Sequence, residues 1–525
     1  METPLSPLIF ADRARNLHPN RQGVVDGARC LTWLQFFERC DKASVVLQQL
    51  GVKEGDRVVT IAPNVLGHLE CFYSIPQIGA VLVPLNYRLT PDDFLYMINH
   101  SGASVVMVHS SCLEAVDSIR GDLKGVKSFI SLDGKRNNWL EYEVLLEDGA
   151  RKNYRRVSYH ESALLTINYT SGTTSKPKGV MITHRNAAIN ILGTLAHFHL
   201  TASDRYLWTL PMFHCNGWGF VWTIAAVGGT HICLSKVDPT KIFSIIHENG
   251  ANILCAAPTV LIGLLAAPEE QKNKGRAHKV RLITAGAPPA ATTLERVEVD
   301  LGWEVTQVYG LTETSPFITV SEQRPEDAHC TSEDRARRKA LTGVQMIPNA
   351  AVRIVDEGGK DVPKDGRTIG EIIAQGNVVM KGYYQDPEAT SKAVHDGWFH
   401  TGDAAVMHQD GYIEIKDRFK DVIISGGENI SSIEVEGIIL RHPAVLEVAV
   451  VGVPDSRWGE VPHAYVVLRD GVDVQAEDLR LFAYERMAHF KAPKEVCFIK
   501  ELPKTATGKV KKFMLRPQGQ VISRL

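Results

Sequence analysis

The sequence predicts an α/β protein with a large N-terminal domain rich in parallel sheet and a small α+β C-terminal domain. Three observations predict it: the length of 525 residues, the alternation of strand-like with helix-like segments, and a change of pattern near residue 420. A chain this long exceeds what one hydrophobic core usually holds, so we expect more than one domain. Alternation of this kind is typical of βαβ units, whose parallel sheets bind ligands at the carboxyl ends of strands.

Short β-branched and apolar runs mark the strands of the N-terminal domain. They are RVVTIAP (57–63), SVVMVH (104–109), ALLTINYT (163–170), HICL (231–234), ANILCAA (251–257) and VRLITAG (280–286). Helical candidates lie between them at 184–198, 239–249 and 258–266, and Thr183 is suited to cap the first of these helices.

The pattern changes after about residue 350, where short strands and many glycines predict a β-barrel-like subdomain. A separate α+β unit then begins at Lys420, so the predicted domains are 1–419 and 420–525. The unit has predicted helices and strands in the order helix 431–441, strands 445–453 and 461–468, helix 476–488 and strand 495–499.

Composition narrows the class of protein. Hydrophobic residues make up 44% of the chain and charged residues 22%, as in ordinary globular proteins. The 58 Lys and Arg against 60 Asp and Glu give a net charge of −2, which argues against a nucleic-acid partner. Nine scattered cysteines without a CxxC pair favour reduced thiols over a disulfide framework.

The ends and the apolar runs of the chain bear on localisation. The N-terminus lacks a signal-peptide pattern, and the run near 217–229 is too short and glycine-rich to span a membrane. The chain ends in Ser523-Arg524-Leu525, a variant of the S-K-L peroxisomal address. We therefore expect a peroxisomal protein that engages an import receptor if the source is eukaryotic, and a cytoplasmic protein otherwise.

The segment 168–184, NYTSGTTSKPKGVMITH, combines hydroxyl, glycine and lysine residues in a pattern suited to phosphate. Hydroxyl groups and backbone amides freed by glycine bind anions, and lysine adds positive charge. A P-loop is excluded, because Pro177 stands where its second glycine should be. The segment is therefore a candidate phosphate loop of another fold.

Four further motifs follow in order: YGLTET (309–314), GWFHTGDAA (397–405), KDRFKDVIISGGENI (416–430) and LPKTATGKVKK (502–512). Together with the loop they resemble the adenylate-forming superfamily, and most closely its acyl-CoA synthetases for short- or medium-chain and aryl acids. The resemblance covers essentially the whole chain. It implies ATP, Mg²⁺ and CoA, and two half-reactions: an acid and ATP give acyl-AMP and pyrophosphate, and the acyl group then passes to CoA with release of AMP.

The resemblance also implies a nucleotide site. The loop would hold the β- and γ-phosphates, and Tyr309 would stack on adenine. Asp403 would accept hydrogen bonds from the ribose hydroxyls with help from Arg418, while Glu313 and Thr174 would hold Mg²⁺. The nucleotide-binding candidates are Thr170, Ser171, Gly172, Thr173, Thr174, Lys178, Gly286, Ala287, Pro288, Tyr309, Thr312, Asp403 and Arg418.

The C-terminal domain carries the implied catalytic lysine. Lys509 would stabilise charge on the α-phosphate and the attacking carboxylate. Because it would then block the CoA thiol, the small domain of such enzymes rotates, here about the hinge residue Lys420. Gly426 and Gly427 would line a channel for the pantetheine arm of CoA.

The acyl site is expected beside the nucleotide. His214, a catalytic candidate together with Lys509 and Arg418, would orient the acid or close the channel. Gly310 stands where acetate-specific relatives carry tryptophan, which disfavours acetate. We therefore expect a medium-chain aliphatic or aryl monocarboxylic acid. The pocket candidates are His214, Cys215, Trp218, Val308, Gly310 and Pro316.

Several alternatives stay open at this point. The acceptor could be a carrier-protein thiol instead of CoA, although no carrier domain follows Lys509. A luciferase-like oxygenase would use the same adenylate, and a non-catalytic nucleotide-binding homologue would lack Lys509 or Glu313, both of which are present. A homodimer is possible.

Overall fold

A computed structural model describes residues 3–148, 154–170, 176–426, 428–505 and 508–516. The three predicted helices of the N-terminal domain are observed as His184–Phe198, Pro239–Asn249 and Pro258–Ala266. Thr183 caps the first of them, since its hydroxyl accepts a hydrogen bond from the backbone N–H of Asn186.

Two large sheets form the body of the molecule, and both are mainly parallel. The strands of the first are, in spatial order, Val344–Gln345, Phe317–Val320, Glu304–Gly310, Arg281–Thr284, Ile253–Ala256, Arg205–Leu207, Thr230–Ile232, Gln22–Asp26 and Arg29–Thr32. Those of the second are Gly382–Tyr383, Lys178–Thr183, Leu164–Thr170, Val81–Leu85, Arg57–Ile61, Ala103–Val108, Ser128–Ser131 and Leu140–Glu141.

Two smaller sheets follow along the chain. The third occupies the place of the expected barrel-like subdomain and pairs Ala351–Val355, Gly370–Gln375, Trp398–Met407 and Val394–His395 in that order, with Ile413–Arg418 on Trp398–Met407. The fourth pairs Glu428–Ile430, Ile423–Ser425, Gly459–Leu468 and Val445–Asp455, with Glu495–Phe498 on Gly459–Leu468. The expected α/β architecture with a separate C-terminal unit is thus confirmed.

Helices cover the faces of these sheets. The remaining α-helices are Leu8–Leu17, Trp33–Gln49, Leu66–Ser74, Pro91–Ser101, Leu113–Asp117, Tyr142–Asp148, Phe220–Val227, Glu269–Arg276, Ala291–Leu301, Ser332–Lys339, Pro387–Ala393, Ser432–Ile439 and Ala476–Tyr484. Short 3₁₀ turns lie at Pro76–Ile78, Ser110–Cys112, Arg120–Asp122, Thr312–Thr314, Pro325–His329 and Lys512–Met514. In the described part of the chain, no helix has the length and apolar character needed to cross a membrane.

The chain passes from the third sheet to the fourth between Arg418 and Ile423. The predicted hinge Lys420 lies in this connection, where the side chain of Arg516 donates to its carbonyl oxygen at 3.0 Å. The domain boundary at Lys420 stays a prediction, since sheet membership alone does not reveal which bonds rotate.

One strand was not predicted from the sequence. The candidate phosphate loop leads into a strand, Lys178–Thr183, before the helix begins, and this strand pairs antiparallel with Leu164–Thr170. Val180 and Ile182 of this strand are buried, which explains why the segment extends along the sheet. The loop therefore joins two strands of a hairpin.

Candidate active site

The carboxyl edge of the first sheet brings two motifs together. Strands Arg281–Thr284 and Glu304–Gly310 are parallel, with Thr284 opposite Gln307. Their continuations, the segment of Gly286, Ala287 and Pro288 and the motif that begins at Tyr309, therefore leave the sheet side by side. Gly286 has φ +97°, a conformation that favours glycine.

Tyr309 and Asp403 meet across two sheets. The Tyr309 hydroxyl donates to Oδ2 of Asp403 at 2.7 Å. Arg418 lies opposite Asp403 in the neighbouring antiparallel strand, and its Nε is 3.5 Å from Oδ1. Asp403 is only 7% exposed, so its charge is balanced by Arg418 in a partly desolvated place. A carboxylate accepts up to about four hydrogen bonds, which leaves capacity for a vicinal diol.

Glu313 lies on the 3₁₀ turn Thr312–Thr314, just after the strand that ends at Gly310. Tyr383 donates to its Oε1 at 2.8 Å, and Lys178 Nζ lies 4.8 Å from the centre of the Tyr383 ring. Burial raises the pKa of Glu313, an effect that the hydrogen bond from Tyr383 opposes. Lys178, Thr312 and Glu313 thus form one neighbourhood at the end of the hairpin.

The donor set fits a Mg²⁺ ion bound with a nucleotide. Mg²⁺ in such sites usually takes one or two carboxylates, with phosphate oxygens and water completing the shell. Glu313 would supply one carboxylate, and among the residues the structure describes no group of three or more His, Cys, Asp or Glu could hold a metal ion. A metal that depends on substrate phosphates is consistent with this arrangement.

Part of the predicted site lies outside the described residues. This applies to Ser171, Gly172, Thr173 and Thr174 of the loop, to Gly427, and to Ser523-Arg524-Leu525. Thr170, the last described residue before the loop, pairs with Lys178 in the hairpin.

Lys509 reaches this site from the last motif. Burial lowers its pKa to about 8, with Arg418 as the next cause, while Asp403 opposes the shift. Gly508, at φ +84°, packs so closely that a Cβ there would lie 2.7 Å from Oγ1 of Thr259 in the helix Pro258–Ala266. The loop that carries Lys509 is therefore seated against the large domain, beside Asp403 and Arg418.

His214 also belongs to this neighbourhood. Burial lowers its pKa to about 4, and the charge of Lys509 adds to the effect. The imidazole is therefore neutral at neutral pH and offers a hydrogen bond without positive charge.

A left-handed turn follows His214. Cys215, Asn216 and Trp218 have φ of +45°, +54° and +55°. Such backbone costs roughly 1–2 kcal/mol for each non-glycine residue, so neighbouring contacts must hold it. Cys215 and Trp218 are buried, and burial, followed by the charge of Glu313, raises the pKa of the Cys215 thiol.

Three buried side chains hold the turn through a closed ring of hydrogen bonds. Thr166 Oγ1 donates to Asn168 Oδ1 at 2.8 Å, and Asn168 Nδ2 donates to Asn216 Oδ1 at 3.0 Å. Asn216 Nδ2 then donates to Thr166 Oγ1 at 2.9 Å. The ring ties the turn after His214 to the strand that leads into the phosphate loop.

The comparison with known proteins agrees with this site. Residues 10–384 match the family described as AMP-binding enzyme, and residues 434–509 match the AMP-binding enzyme C-terminal domain. The chain belongs to the AMP-binding enzymes.

Full-length relatives of this AMP-binding enzyme are named as CoA ligases. Acetate–CoA ligase CCL3 of Humulus lupulus is 41% identical over 547 residues, which cover 100% of this chain and 96% of that protein. The peroxisomal trans-cinnamate:CoA ligase of Petunia hybrida is 38% identical over 539 residues, which cover 98% and 94%. The crystal structure of ATP-bound MatB from Rhodopseudomonas palustris superposes with a TM-score of 0.85 at 29% identity, over 98% of each chain.

These findings confirm the prediction of an AMP-forming acyl-CoA synthetase that uses ATP and CoA. The carrier-loading, luciferase-like and non-catalytic alternatives are not favoured. The roles of individual residues stay predictions, because the comparisons concern whole chains.

The acyl-pocket candidates of this AMP-binding enzyme lie together. Trp218 packs edge-on against Phe317, with ring centres 5.6 Å apart. Phe317 pairs with Gly310, and Val308 in the same strand is buried. Pro316 is also buried and follows Ser315 through a cis peptide bond. These residues form an apolar, uncharged wall.

Gly310 has a role that the sequence did not indicate. A Cβ at this position would lie 1.8 Å from the carbonyl oxygen of Pro316, closer than any real contact. The glycine is thus required by the approach of two backbones, and its presence alone does not demonstrate an open tunnel. The expectation that acetate is disfavoured keeps only the weaker support of the apolar wall.

Gly426 has a comparable constraint. Its φ is +59°, its N–H donates to the carbonyl oxygen of Trp458, and a Cβ would lie 2.9 Å from the Trp458 ring. Turn geometry is sufficient to explain this glycine, and its assignment to a CoA channel stays a prediction.

Sequence reasoning missed Tyr383 and Asn216. Each meets its partner over a long separation, 70 residues from Tyr383 to Glu313 and 48 from Asn168 to Asn216. The tolerance of asparagine for left-handed backbone was the available signal for Asn216, which stands next to Gly217.

Proposed function

We propose that this acyl-CoA synthetase activates an apolar monocarboxylic acid, medium-chain aliphatic or aryl, and that Lys509 is its adenylation lysine. The observation that supports the proposal most directly is the seat of Lys509 beside Asp403 and Arg418, with Gly508 against Thr259. A lysine in a solvated tail would not be buried there.

Adenylation requires two anions to meet. A carboxylate oxygen of the acid attacks the α-phosphorus of ATP, a new P–O bond forms, and the bond to the β-phosphate oxygen breaks with loss of pyrophosphate. Lys509 and Arg418 would offset the negative charge on the acid and the α-phosphate. Glu313, with Thr174, would hold Mg²⁺, which neutralises charge on the phosphates when bound.

Nucleotide orientation would depend on Tyr309 and Asp403. The hydrogen bond between them at 2.7 Å fixes the carboxylate, which would accept from the ribose hydroxyls. The tyrosine ring would then face adenine, as the resemblance implies. Because His214 is neutral, it would orient the acid without competing with Lys509 for negative charge.

Transfer to CoA needs access to the same carbonyl carbon. The thiol sulfur attacks that carbon, the C–O bond to the α-phosphate breaks, and AMP leaves. Lys509 would stand in the path of the thiol, so we propose rotation of the unit after Lys420 between the half-reactions. The change of sheet between Arg418 and Ile423 supports a hinge at this point.

The class of acid is proposed from the residues of the acyl-pocket candidates. Trp218, Phe317 and Val308 are buried, apolar and uncharged, which suits an aliphatic or aryl tail. The names of the relatives span acetate and cinnamate, so they leave the size of the acid open.

A panel of acids tests the proposal. The protein is incubated with ATP, Mg²⁺, CoA and acids from acetate through medium-chain to aryl, and pyrophosphate and thioester are measured. We expect the highest kcat/KM with a medium-chain or aryl acid and no turnover without Mg²⁺. A clear preference for acetate would refute the proposed acid class, and release of pyrophosphate with no acid would refute the mechanism.

Localisation is a separate proposal. The terminal Ser523-Arg524-Leu525 and the name of the Petunia relative support delivery to peroxisomes by an import receptor. A fluorescent protein fused to the N-terminus should reach peroxisomes with the intact chain and stay in the cytosol when Leu525 is removed. Equal distribution of the two fusions would contradict the proposal. A homodimer stays an untested expectation.

A further inference from the structure

We propose that Lys512, acting through Ser432 and Asp417, is a positioning residue that holds Lys509 in the adenylation site. The inference rests on the proposed role of Lys509. It assigns a function to Lys512, a residue that the predicted site does not include.

Lys512 lies three residues after Lys509 and is held from the side of the C-terminal unit. Its Nζ pairs with Oε1 of Glu436 at 2.8 Å and also donates to the hydroxyl of Ser432. The side chains of Lys512 and Glu436 are 15% and 17% exposed. Oε1 of Glu436 also accepts from the backbone N–H of Val450 at 2.8 Å, so the carboxylate itself is fixed.

The linkage continues across the predicted hinge. The backbone N–H of Ser432 donates to Oδ2 of Asp417 at 2.9 Å, and its hydroxyl donates to the same oxygen. Ser432 is fully buried and Asp417 is 3% exposed. Asp417 belongs to the strand Ile413–Arg418, which lies before Lys420. The linkage therefore joins the two sides of Lys420.

Lys512 is a single cation that faces two carboxylates, those of Glu436 and Asp417. Burial alone would lower the pKa of Lys512, but the carboxylates of Glu436 and Asp417 outweigh it and raise that pKa. Lys512 thus stays a cation at neutral pH. A buried charge left without its partner is strongly unfavourable, so the group favours the orientation in which all its members are paired.

This orientation is the one in which Lys509 lies beside Asp403. Rotation about Lys420 would carry Ser432 and Lys512 away from Asp417, so the linkage can exist only before the rotation. It should therefore assist acyl-adenylate formation and contribute nothing to thioester formation. A displacement of about 1 Å at a reacting group can cost about 100-fold in rate, which sets the scale of the expected effect.

The experiment measures the two half-reactions separately in the full-length protein. Adenylation is followed by pyrophosphate release, and thioester formation by adding a synthetic acyl adenylate and CoA. Lys512→Met and Asp417→Asn should each lower the adenylation rate about 10- to 100-fold and leave thioester formation within about twofold. Lys512→Arg should restore part of the adenylation rate. Lys511→Met, which removes a lysine one residue earlier, should change neither half-reaction.

The choice of variants distinguishes a folding defect from a loss of the position of Lys509. If Lys512→Met loses both half-reactions, Asp417→Asn decides, because it leaves the pair of Lys512 with Glu436 intact. Equal losses in the two half-reactions for Asp417→Asn, or unchanged adenylation in Lys512→Met, would overturn the inference. Lys509→Ala is measured in parallel. If Lys509→Ala does not lower the adenylation rate, the proposed role of Lys509 is rejected. If Lys509→Ala lowers that rate but Lys512→Met does not, only the inference about Lys512 is rejected.

Discussion

The hydroxyl of Tyr309 donates to the carboxylate of Asp403 at 2.7 Å and so joins the strand Glu304–Gly310 to the strand Trp398–Met407. The two residues are 94 positions apart in the sequence and belong to different motifs. Arg418, opposite Asp403, completes a group of an aromatic ring, an anion and a cation. We propose that this group orients the nucleotide, and its bonds can be tested one at a time.

The bond between Tyr309 and Asp403 should matter more for ATP binding than for the chemical step. Tyr309→Phe keeps the ring and removes the donor, at a cost of about 1.5–3 kcal/mol for a bond to a charged acceptor. We expect the KM for ATP to rise about 10- to 150-fold with kcat nearly unchanged. Steady-state kinetics at saturating acid check this, and an unchanged KM for ATP would show that Asp403 is oriented without Tyr309.

The hydrogen-bonded ring around Asn216 should stabilise the fold at the acyl site. Asn216→Ala removes two bonds and leaves the amide nitrogen of Asn168 without its acceptor, which costs about 1–3 kcal/mol for a buried group, while Thr166 keeps its bond to Asn168. Asn216→Gly removes the same bonds but accepts the positive φ, so it should be about 1 kcal/mol less destabilising. Urea unfolding of the two variants measures the difference, and an alanine variant as stable as wild type would contradict the role of the ring.

Adenylation should depend on pH through Lys509. Its pKa is lowered to about 8, chiefly by burial, and the cation exists below that value. The kcat/KM for pyrophosphate release should therefore fall as pH rises through about 8. Lys509→Arg keeps its charge at higher pH. The arginine variant should therefore react more slowly than wild type, and its rate should not decline as pH rises through about 8. If the same decline persists in the arginine variant, a group other than Lys509 titrates in this range.

Glu313 should control the response to Mg²⁺. Glu313→Gln keeps the shape and the contact with Tyr383 but removes the charge, so we expect adenylation to fall about 100-fold and to need more Mg²⁺. Tyr383→Phe is the matched variant: it leaves the carboxylate and removes only its donor, so its effect should be nearer tenfold. Mg²⁺ titrations of both variants decide, and an unaltered Mg²⁺ requirement in Glu313→Gln would exclude it as a ligand.

Local sequence signals predicted helices well where a single residue marks the start of the helix. Proline at the first position marks the helices at Pro239 and Pro258, and Thr183 marks a third. The strand Lys178–Thr183 was missed because a short apolar run between a loop and a helix carries little signal by itself.

Contacts between distant parts of the chain limited how much of the site could be predicted from the sequence. The motifs indicated Tyr309, Asp403, Arg418 and Lys509 as one group, and the structure brings them together. The reason for Gly310 depends on the backbone of Pro316, and the partner of Glu313 is Tyr383, so neither could be found from local pattern. Contacts of this kind follow from sheet pairing, which no short segment specifies.

The most direct test of the central claim compares the two half-reactions in Lys509→Ala. The account predicts that adenylation, followed by pyrophosphate release, falls by about 100-fold or more, because charge on the α-phosphate loses its nearest lysine. Thioester formation from a supplied acyl adenylate should stay within about twofold of wild type, since Lys509 would have left the site by then. Equal losses in both half-reactions would contradict the account.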